Sequence, residues 1–262
     1  MTRKLIWSLL GAFELFMASG VFAEPMFTKV TQGQFQLTDL DGRTLPETDI
    51  IGHEIAVQLS QTQSYRARIT NVIVDPFASD PLTLYDVEYW DETQASWEPL
   101  CGLGPHGMTL AAPLNGTWST DGLFQPSLSG GFSLNCTSGA HVKCLRLGYA
   151  PWRNGESGAR LHQACTRMIR ADYCGTGQSF TLTGRQIQLF DRSHSISGEL
   201  LERFEAVWGV DGAICIRTPR VEEKFPLQEI MSSCPDLSRI LPDECNQDLL
   251  QTHPDALFAN RF

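Results

Sequence analysis

The chain has 262 residues, of which 42% are hydrophobic and 19% are charged, and it carries a formal net charge of −10 at pH 7. This length and apolar content suit one large domain or two small ones with a hydrophobic core. So acidic a chain repels the phosphate backbone, which excludes general nucleic-acid binding.

The first 23 residues have the three parts of a secretory signal peptide. Residues 3–4 are basic, residues 5–17 form an apolar run, and the segment 21–23 (VFA) ends that run. The run is too short for a bilayer span and contains Glu14, and no later stretch approaches the roughly 18 apolar residues that a span needs. We therefore predict a secreted or periplasmic protein whose mature chain has no transmembrane segment.

Residues 24–95 predict a β-rich N-terminal lobe. Two short β segments flank the turn signal Asp41-Gly42, and runs starting near residues 53, 65 and 82 alternate apolar with polar side chains. Alternation with a period of two over several short runs indicates an antiparallel sheet with one face in water. After Trp97 the sequence becomes rich in Gly, Pro and Ser, so we place a boundary near residue 95.

Residues 96–262 predict a cysteine-rich domain with one well-defined helix at about 157–172. Apolar residues recur along that helix at helical spacing, and Gly175 and Gly177 follow it as stop signals. The other predicted elements are strands at 179–182 and 186–190, a hairpin over 204–217, a short C-terminal helical segment from about 227 and a final strand. The predicted fold class is α+β, dominated by antiparallel strands and stapled by disulfides.

The eight cysteines predict a disulfide framework, because an even number of cysteines in an exported chain is typical of one. They are Cys101, Cys136, Cys144, Cys165, Cys174, Cys215, Cys234 and Cys245. Proximity in the chain favours the local pairs Cys165–Cys174 and Cys234–Cys245 and leaves the other pairings open. Short C-x2-C spacings are lacking and no cofactor motif occurs, so we expect neither a metal site nor a cofactor.

The stretch around CTRMIRADYCG contains the weak catalytic candidates His162, Asp172 and Tyr173. His162 and Cys165 are three residues apart on the predicted helix, and a Cys-His pair is the minimum for nucleophilic catalysis. Cys165 lies on the apolar stripe, however, which favours a cystine. A carboxylate at a helix C-terminus needs a cation, so we predict a buried Arg–Asp pair between Asp172 and a neighbouring arginine that orients the loop.

Positive charge is concentrated between residues 140 and 185, where seven Lys and Arg residues accompany two carboxylates. Six of the seven are arginine, which suits bidentate contact with carboxylate or phosphate. Two interpretations stay open: the arginines pair with the acidic remainder of the chain, or they bind an anionic ligand. The second interpretation assigns ligand binding to Arg153, Arg160, Arg167 and Arg170.

Several segments resemble the ADYC-domain family, a group of exported bacterial proteins named after that tetrapeptide. They are GAHVKCLRLGYAPW at 139–152, HQACTRMIRADYCG at 162–175, FEAVW at 204–208 and DGAIC at 211–215, with support from WEPLC, GTW and the later Cys-Pro. The resemblance covers roughly residues 96–262 and implies a bacterial host. It implies no catalytic residues, because the role of the family is unknown.

Three functions follow from these observations. The first is an exported, disulfide-stabilised binding or envelope-associated module that recognises an anionic small molecule or envelope polymer through an arginine-rich helix face. The second is a cell-envelope hydrolase or transferase that uses His162 and Asp172. The third is a purely structural secreted protein, in which these side chains all pair internally.

Overall fold

The computed structural model describes residues 27–58, 64–119, 121–125, 127, 131–192 and 201–262. The predicted signal peptide lies outside these residues. Within them strands outnumber helices and every strand ladder is antiparallel, so the predicted fold class is confirmed.

The N-terminal half contains a three-stranded sheet and a six-stranded sheet. The small sheet consists of β1 (Phe27–Thr31), β2 (Gln34–Thr38) and β3 (Thr44–Leu45). The large sheet consists of β4 (Glu54–Gln58), β5 (Ser64–Val74), β6 (Thr83–Asp91), β7 (Ser96–Pro99), β8 (Ala111–Asn115) and β11 (Phe132–Cys136). The predicted alternation is present in β5, where Ala67 and Ile69 are buried while Arg66 is exposed.

The boundary predicted near residue 95 falls inside the large sheet. Ala95 lies in the turn between β6 and β7, and these two strands pair with each other from Glu88–Pro99 to Asp91–Ser96. β8 also pairs with β6, at Tyr85–Ala111. Strands that follow residue 95 therefore complete the sheet that the strands before it begin.

The C-terminal half contains a four-stranded sheet against which the longest helix packs. Its strands, in the order β12-β15-β13-β14, are β12 (Gln188–Asp191), β13 (Phe204–Gly209), β14 (Gly212–Ile216) and β15 (Phe258–Arg261). The helices are α1 (Ala140–Arg146), α2 (Glu156–Arg170), α3 (Leu227–Ser233) and α4 (Leu249–Thr252). Met168 of α2, Trp208 of β13 and Phe258 of β15 meet in one core cluster. The helix predicted at 157–172, the C-terminal helical segment, the hairpin and the final strand are thus confirmed.

A two-stranded hairpin of β9 (Thr117–Trp118) and β10 (Phe124–Gln125) packs against α2. Gln163 of α2 holds it at both ends of its turn, since its Oε1 accepts from Phe124 N at 3.0 Å and its Nε2 donates to Gly122 O at 2.7 Å. Gln163 and Arg167 on this side of α2 are buried, whereas Arg160 and Arg170 are exposed.

The structure differs from the sequence-based expectation at two elements, one predicted strand that does not form and one helix that was not predicted. No strand forms at residues 179–182, because this segment closes onto the end of α2: Phe180 N donates to Arg170 O at 3.2 Å. The short helix α1 was not predicted, since seven residues are too few for a clear helical period. Among the described residues, no helix has the length and apolar character needed to cross a bilayer.

Candidate functional site

The tetrapeptide Ala171-Asp172-Tyr173-Cys174 forms the junction between α2 and the rest of the C-terminal half. Ala171 ends the helix in the left-handed conformation, with φ 50° and ψ 42°, and its N–H donates to Met168 O at 3.0 Å. Ala171 is fully buried. A small side chain is therefore needed here, and the left-handed residue turns the chain sharply away from the helix axis.

Asp172 organises the loop that follows. Its carboxylate accepts from Thr176 N at 3.1 Å and Gly177 N at 2.9 Å, and it is paired with the guanidinium of Arg167. The side chains of Arg167 and Asp172 are only 2% and 1% exposed. The predicted buried Arg–Asp pair is confirmed, and it leaves the Asp172 carboxylate no access to a substrate.

Tyr173 enters a fully buried polar network around Glu205. The Tyr173 hydroxyl donates to Glu205 Oε1 at 3.0 Å and accepts from Arg220 N at 3.0 Å. Arg220 forms a bidentate pair with the same carboxylate, Nε to Oε2 at 2.8 Å and Nη2 to Oε1 at 2.9 Å, and Asn260 Nδ2 donates to Oε2 at 2.7 Å. Burial raises the pKa of Tyr173 well above its usual range. The phenol is thus a neutral structural group at neutral pH.

Arg220 also terminates α2. Its Nη2 donates to Met168 O at 2.7 Å and its Nη1 donates to Ile169 O at 2.9 Å, and these are carbonyls of the last helical turn. A cation at the C-terminus of a helix is favoured by the helix dipole. The sequence analysis missed both Arg220 and Glu205, although Glu205 was visible as a lone carboxylate within the apolar strand FEAVW.

All eight cysteines are paired, as Cys101–Cys136, Cys144–Cys165, Cys174–Cys234 and Cys215–Cys245. The disulfide framework is confirmed, whereas the favoured pairs Cys165–Cys174 and Cys234–Cys245 are wrong. The physical reason is the direction of the chain. Cys165 faces α1 from the apolar side of α2, and the left-handed Ala171 directs the following residues away from that side. A Cys165 thiolate nucleophile is excluded in this disulfide-bonded form.

The four arginines assigned to a ligand do not form one surface. Arg167 is buried, and its Nη1 donates both to Asp172 and to Asp121 O, the latter at 2.6 Å. Arg153 is paired with Asp80 at the surface. Arg170 is exposed and donates to Gly177 O, while Arg160 is exposed and forms no ion pair with the described residues. Of the three arginines on α2, Arg160 and Arg170 therefore stay exposed, while the buried Arg167 is not accessible to a ligand.

His162 is fully buried and lies between α1 and the β9–β10 hairpin. Its Nδ1 is 2.7 Å from Tyr149 O, and burial lowers its pKa to about 4. His162 contacts neither Asp172 nor a free thiol among the described interactions, so the structure does not assemble the predicted catalytic set.

One polar pocket of about 440 Å³ contains Arg153. Its walls are Trp152 and Arg153 after α1, Gln32 and Gln34 at the β1–β2 turn, and Pro81 and Thr83 at the start of β6. Gln34 Nε2 donates to Thr83 Oγ1 at 2.8 Å, which joins two of these walls. The Trp152 ring packs on Gly33, where an added Cβ would lie 2.6 Å from the ring, so a glycine is required there.

A larger cleft of about 530 Å³ lies beside the ADYC segment and the β13–β14 turn. Its charged lining side chains are Asp211, Asp236, Asp255 and Arg239, and Arg239 is already paired with Asp236. The excess of carboxylates makes this cleft unfavourable for an anionic ligand.

An α+β domain with four disulfides and an internally paired ADYC segment is the class of protein that these features define. The ADYC domain model matches residues 47–222, which is well over half of the chain, and the protein belongs to the ADYC domain family. Neither the curated proteins nor the solved structures contain a match to this chain.

Proposed function

We propose that the protein is an exported, disulfide-stabilised binding module that recognises a hydroxyl-rich anionic polymer of the cell envelope at the pocket of Trp152 and Arg153. The observation that carries this proposal is the composition of the pocket: an indole, a guanidinium, two amides and a hydroxyl line one polar depression. Aromatic rings stack on the apolar faces of sugars, and planar polar groups donate to and accept from hydroxyls. This proposal retains Arg153 from the predicted ligand set and gives up the helix face.

The position of Arg153 supports an anionic ligand. Its side chain is 42% exposed, and its partner Asp80 is 40% exposed, so the ion pair is weak and its guanidinium remains accessible. A guanidinium presents five donors in a planar fork, more than one carboxylate can accept. Donors are thus left for a carboxylate or phosphate on the ligand.

The export part of the proposal rests on the cysteines. Four disulfides with no unpaired cysteine are typical of proteins that fold outside the reducing cytoplasm. The signal-peptide prediction for residues 1–23 points to the same compartment.

The enzyme hypothesis is the weaker alternative, because its residues have structural partners. His162 is buried against Tyr149, and Asp172 is occupied by Arg167 and two backbone N–H groups. Catalysis by these groups would require local unfolding of the junction.

Co-sedimentation with purified peptidoglycan, and affinity measurements with soluble polygalacturonate and neutral dextran, test the proposal. We expect binding to the two anionic polymers and weak binding to dextran. R153A should weaken binding at least about 10-fold, which corresponds to about 1.4 kcal/mol. R160A is the matched control, since it removes an exposed arginine of the same region that lies outside the pocket.

Q32A gives a second measurement that does not depend on the Arg153–Asp80 ion pair, because Gln32 is an exposed turn residue. Equal affinities for R153A, Q32A and R160A would overturn the assignment of the pocket. Failure of the wild type to bind any of the polymers would overturn the proposed ligand class.

A further inference from the structure

The disulfide of the ADYC segment, Cys174–Cys234, differs from the other three in its access to solvent. Both of its cysteines line the cleft of about 530 Å³ that lies beside the β13–β14 turn. Cys174 is half-buried, and Cys234 is 5% exposed. Thiol–disulfide exchange requires a sulfur atom that an external thiolate can reach. A cystine in the wall of a cleft is therefore open to such an attack.

The other three disulfides are more enclosed. Two of them join cysteines that are fully buried, namely Cys144–Cys165 and Cys215–Cys245. In the third, Cys101 is 2% exposed and Cys136 is half-buried, but neither residue lines the cleft. Half-burial of one cysteine is thus shared by two bonds, whereas contact of both cysteines with the cleft sets Cys174–Cys234 apart.

The charge of the cleft determines which thiols reach the bond. Its lining contains three exposed aspartates, Asp211, Asp236 and Asp255. The arginine in the lining, Arg239, is paired with Asp236. These carboxylates repel a thiolate that carries no other charge, and they attract a thiol that has a cation beside it. The favoured reagent therefore has an ammonium or guanidinium group next to its sulfur.

We propose that Cys174–Cys234 is a site of thiol–disulfide exchange with thiols that carry a neighbouring positive charge. The attacking thiolate forms a bond to Sγ of Cys174, the more exposed of the two cysteines. The electron pair of the broken S–S bond leaves on Cys234 Sγ, which takes a proton from water. A second thiolate then attacks the sulfur of the reagent and releases Cys174. Two thiols are thereby oxidised to one disulfide, and the cystine is reduced to two thiols.

Exchange at this bond changes how the ADYC junction is connected to the segment that follows it. Cys174 comes after the end of α2, and Cys234 comes directly after α3. Ile230 of α3 packs in the same core cluster as Met168 of α2, and this apolar contact does not depend on the disulfide. The buried Cys144–Cys165 bond still links α2 to α1. Reduction therefore removes one covalent link and leaves the core in place.

Timed exposure of the folded protein, with all four disulfides formed, to two small thiols tests the proposal. The thiols are cysteamine, which carries an ammonium group, and 3-mercaptopropionate, which carries a carboxylate. N-ethylmaleimide stops each reaction, and mass spectrometry of the peptides identifies the alkylated cysteines. Each rate is divided by the rate of the same thiol with a small neutral disulfide, so that differences in intrinsic nucleophilicity cancel.

We expect alkylated Cys174 and Cys234 to appear first, at least about 10-fold faster than any other cysteine, because the other disulfides are enclosed. The normalised rate of cysteamine should exceed that of 3-mercaptopropionate at least about 3-fold at low ionic strength, and the ratio should approach one in 1 M salt, which screens the carboxylates.

The double variant D211N/D255N removes two carboxylates of the cleft and should bring the two normalised rates closer together. D41N/D49N is the matched control, because it changes the net charge equally at two exposed aspartates outside the cleft.

Two kinds of result overturn the proposal. If another disulfide opens before Cys174–Cys234, or if all four open together, the exchange site is wrongly assigned. If the two thiols have equal normalised rates, or if D211N/D255N and D41N/D49N change them equally, the carboxylates of the cleft do not select a cationic thiol.

Discussion

Replacement of Glu205 by Gln should be the most informative single change in the protein. Glu205 is fully buried on β13, and Arg220 is 3% exposed beside it. The substitution preserves shape but removes the negative charge that compensates the guanidinium. The new NH2 group replaces one carboxylate oxygen, so it faces the two donors of that oxygen, either Tyr173 and Arg220 Nη2 or Asn260 and Arg220 Nε, and two of the hydrogen bonds to Glu205 are lost.

The expected magnitude follows from the burial of the pair. Breaking a buried ion pair by neutralising one partner costs about 3–5 kcal/mol, because the other charge stays buried without compensation. For a domain of this size, 1 kcal/mol lowers the Tm by about 2–4 °C, so E205Q should lower the Tm by about 6–20 °C. Part of α2 should loosen with it, since Arg220 also holds the last helical carbonyls.

Denaturant unfolding at pH 7 with the disulfides intact measures this loss. E222Q is the control, because Glu222 is 51% exposed and lies 3.4 Å from Arg203, which is 59% exposed. Surface pairs of this kind contribute about 0–1 kcal/mol. If E205Q costs no more than E222Q, then the network around Glu205 does not stabilise the junction and our reasoning fails. The double variant E205Q/R220M should recover part of the loss, since it removes the stranded cation.

Three further changes test the junction and the buried state of His162. Non-reducing peptide mapping should recover Cys174 joined to Cys234, and replacing both by Ala should cost about 4 kcal/mol, because the bond closes a loop of 60 residues; a peptide joining Cys174 to a different cysteine contradicts the structure. Burial lowers the pKa of His162 from 6.5 to about 4, so the unfolded state binds more protons than the folded state as the pH falls below 6.5. The free energy of unfolding of the wild type should therefore fall by roughly 2 kcal/mol from pH 7 to pH 5, a contribution that H162Q lacks. Parallel stability curves for the two proteins over this pH range would contradict the neutral, buried state of His162. G175A should destabilise more than G184A in thermal unfolding, because both have positive φ but only at Gly175 would a Cβ lie 1.8 Å from a backbone carbonyl, and equal losses would refute the close packing.

The local patterns in the chain were sufficient for the fold class and most secondary-structure elements. Period-two alternation predicted β5 and β6, and the spacing of Leu161, Cys165 and Met168 predicted α2, because burial on one face repeats with the period of the backbone. The Asp172 ion pair was also predictable, since a carboxylate at a helix C-terminus requires a nearby cation.

Contacts between residues that are far apart in the chain could be identified only from the tertiary structure. Glu205 and Arg220 are 15 residues apart, and Trp118 reaches His162 across 44 positions, so no local spacing marks either contact. The cysteine pairs were mispredicted for the same reason: proximity in the chain favoured Cys174 for Cys165, whereas the left-handed turn between them directs the two apart.

The ADYC tetrapeptide illustrates this division most clearly. Its residue types alone were compatible with an active site, because a carboxylate, a phenol and a thiol are all chemically competent. In the fold, Ala171 turns the chain, Asp172 fastens the loop, Tyr173 joins the buried network and Cys174 forms a disulfide. A catalytic group must be accessible to a substrate. Accessibility depends on tertiary packing, which composition and spacing do not specify.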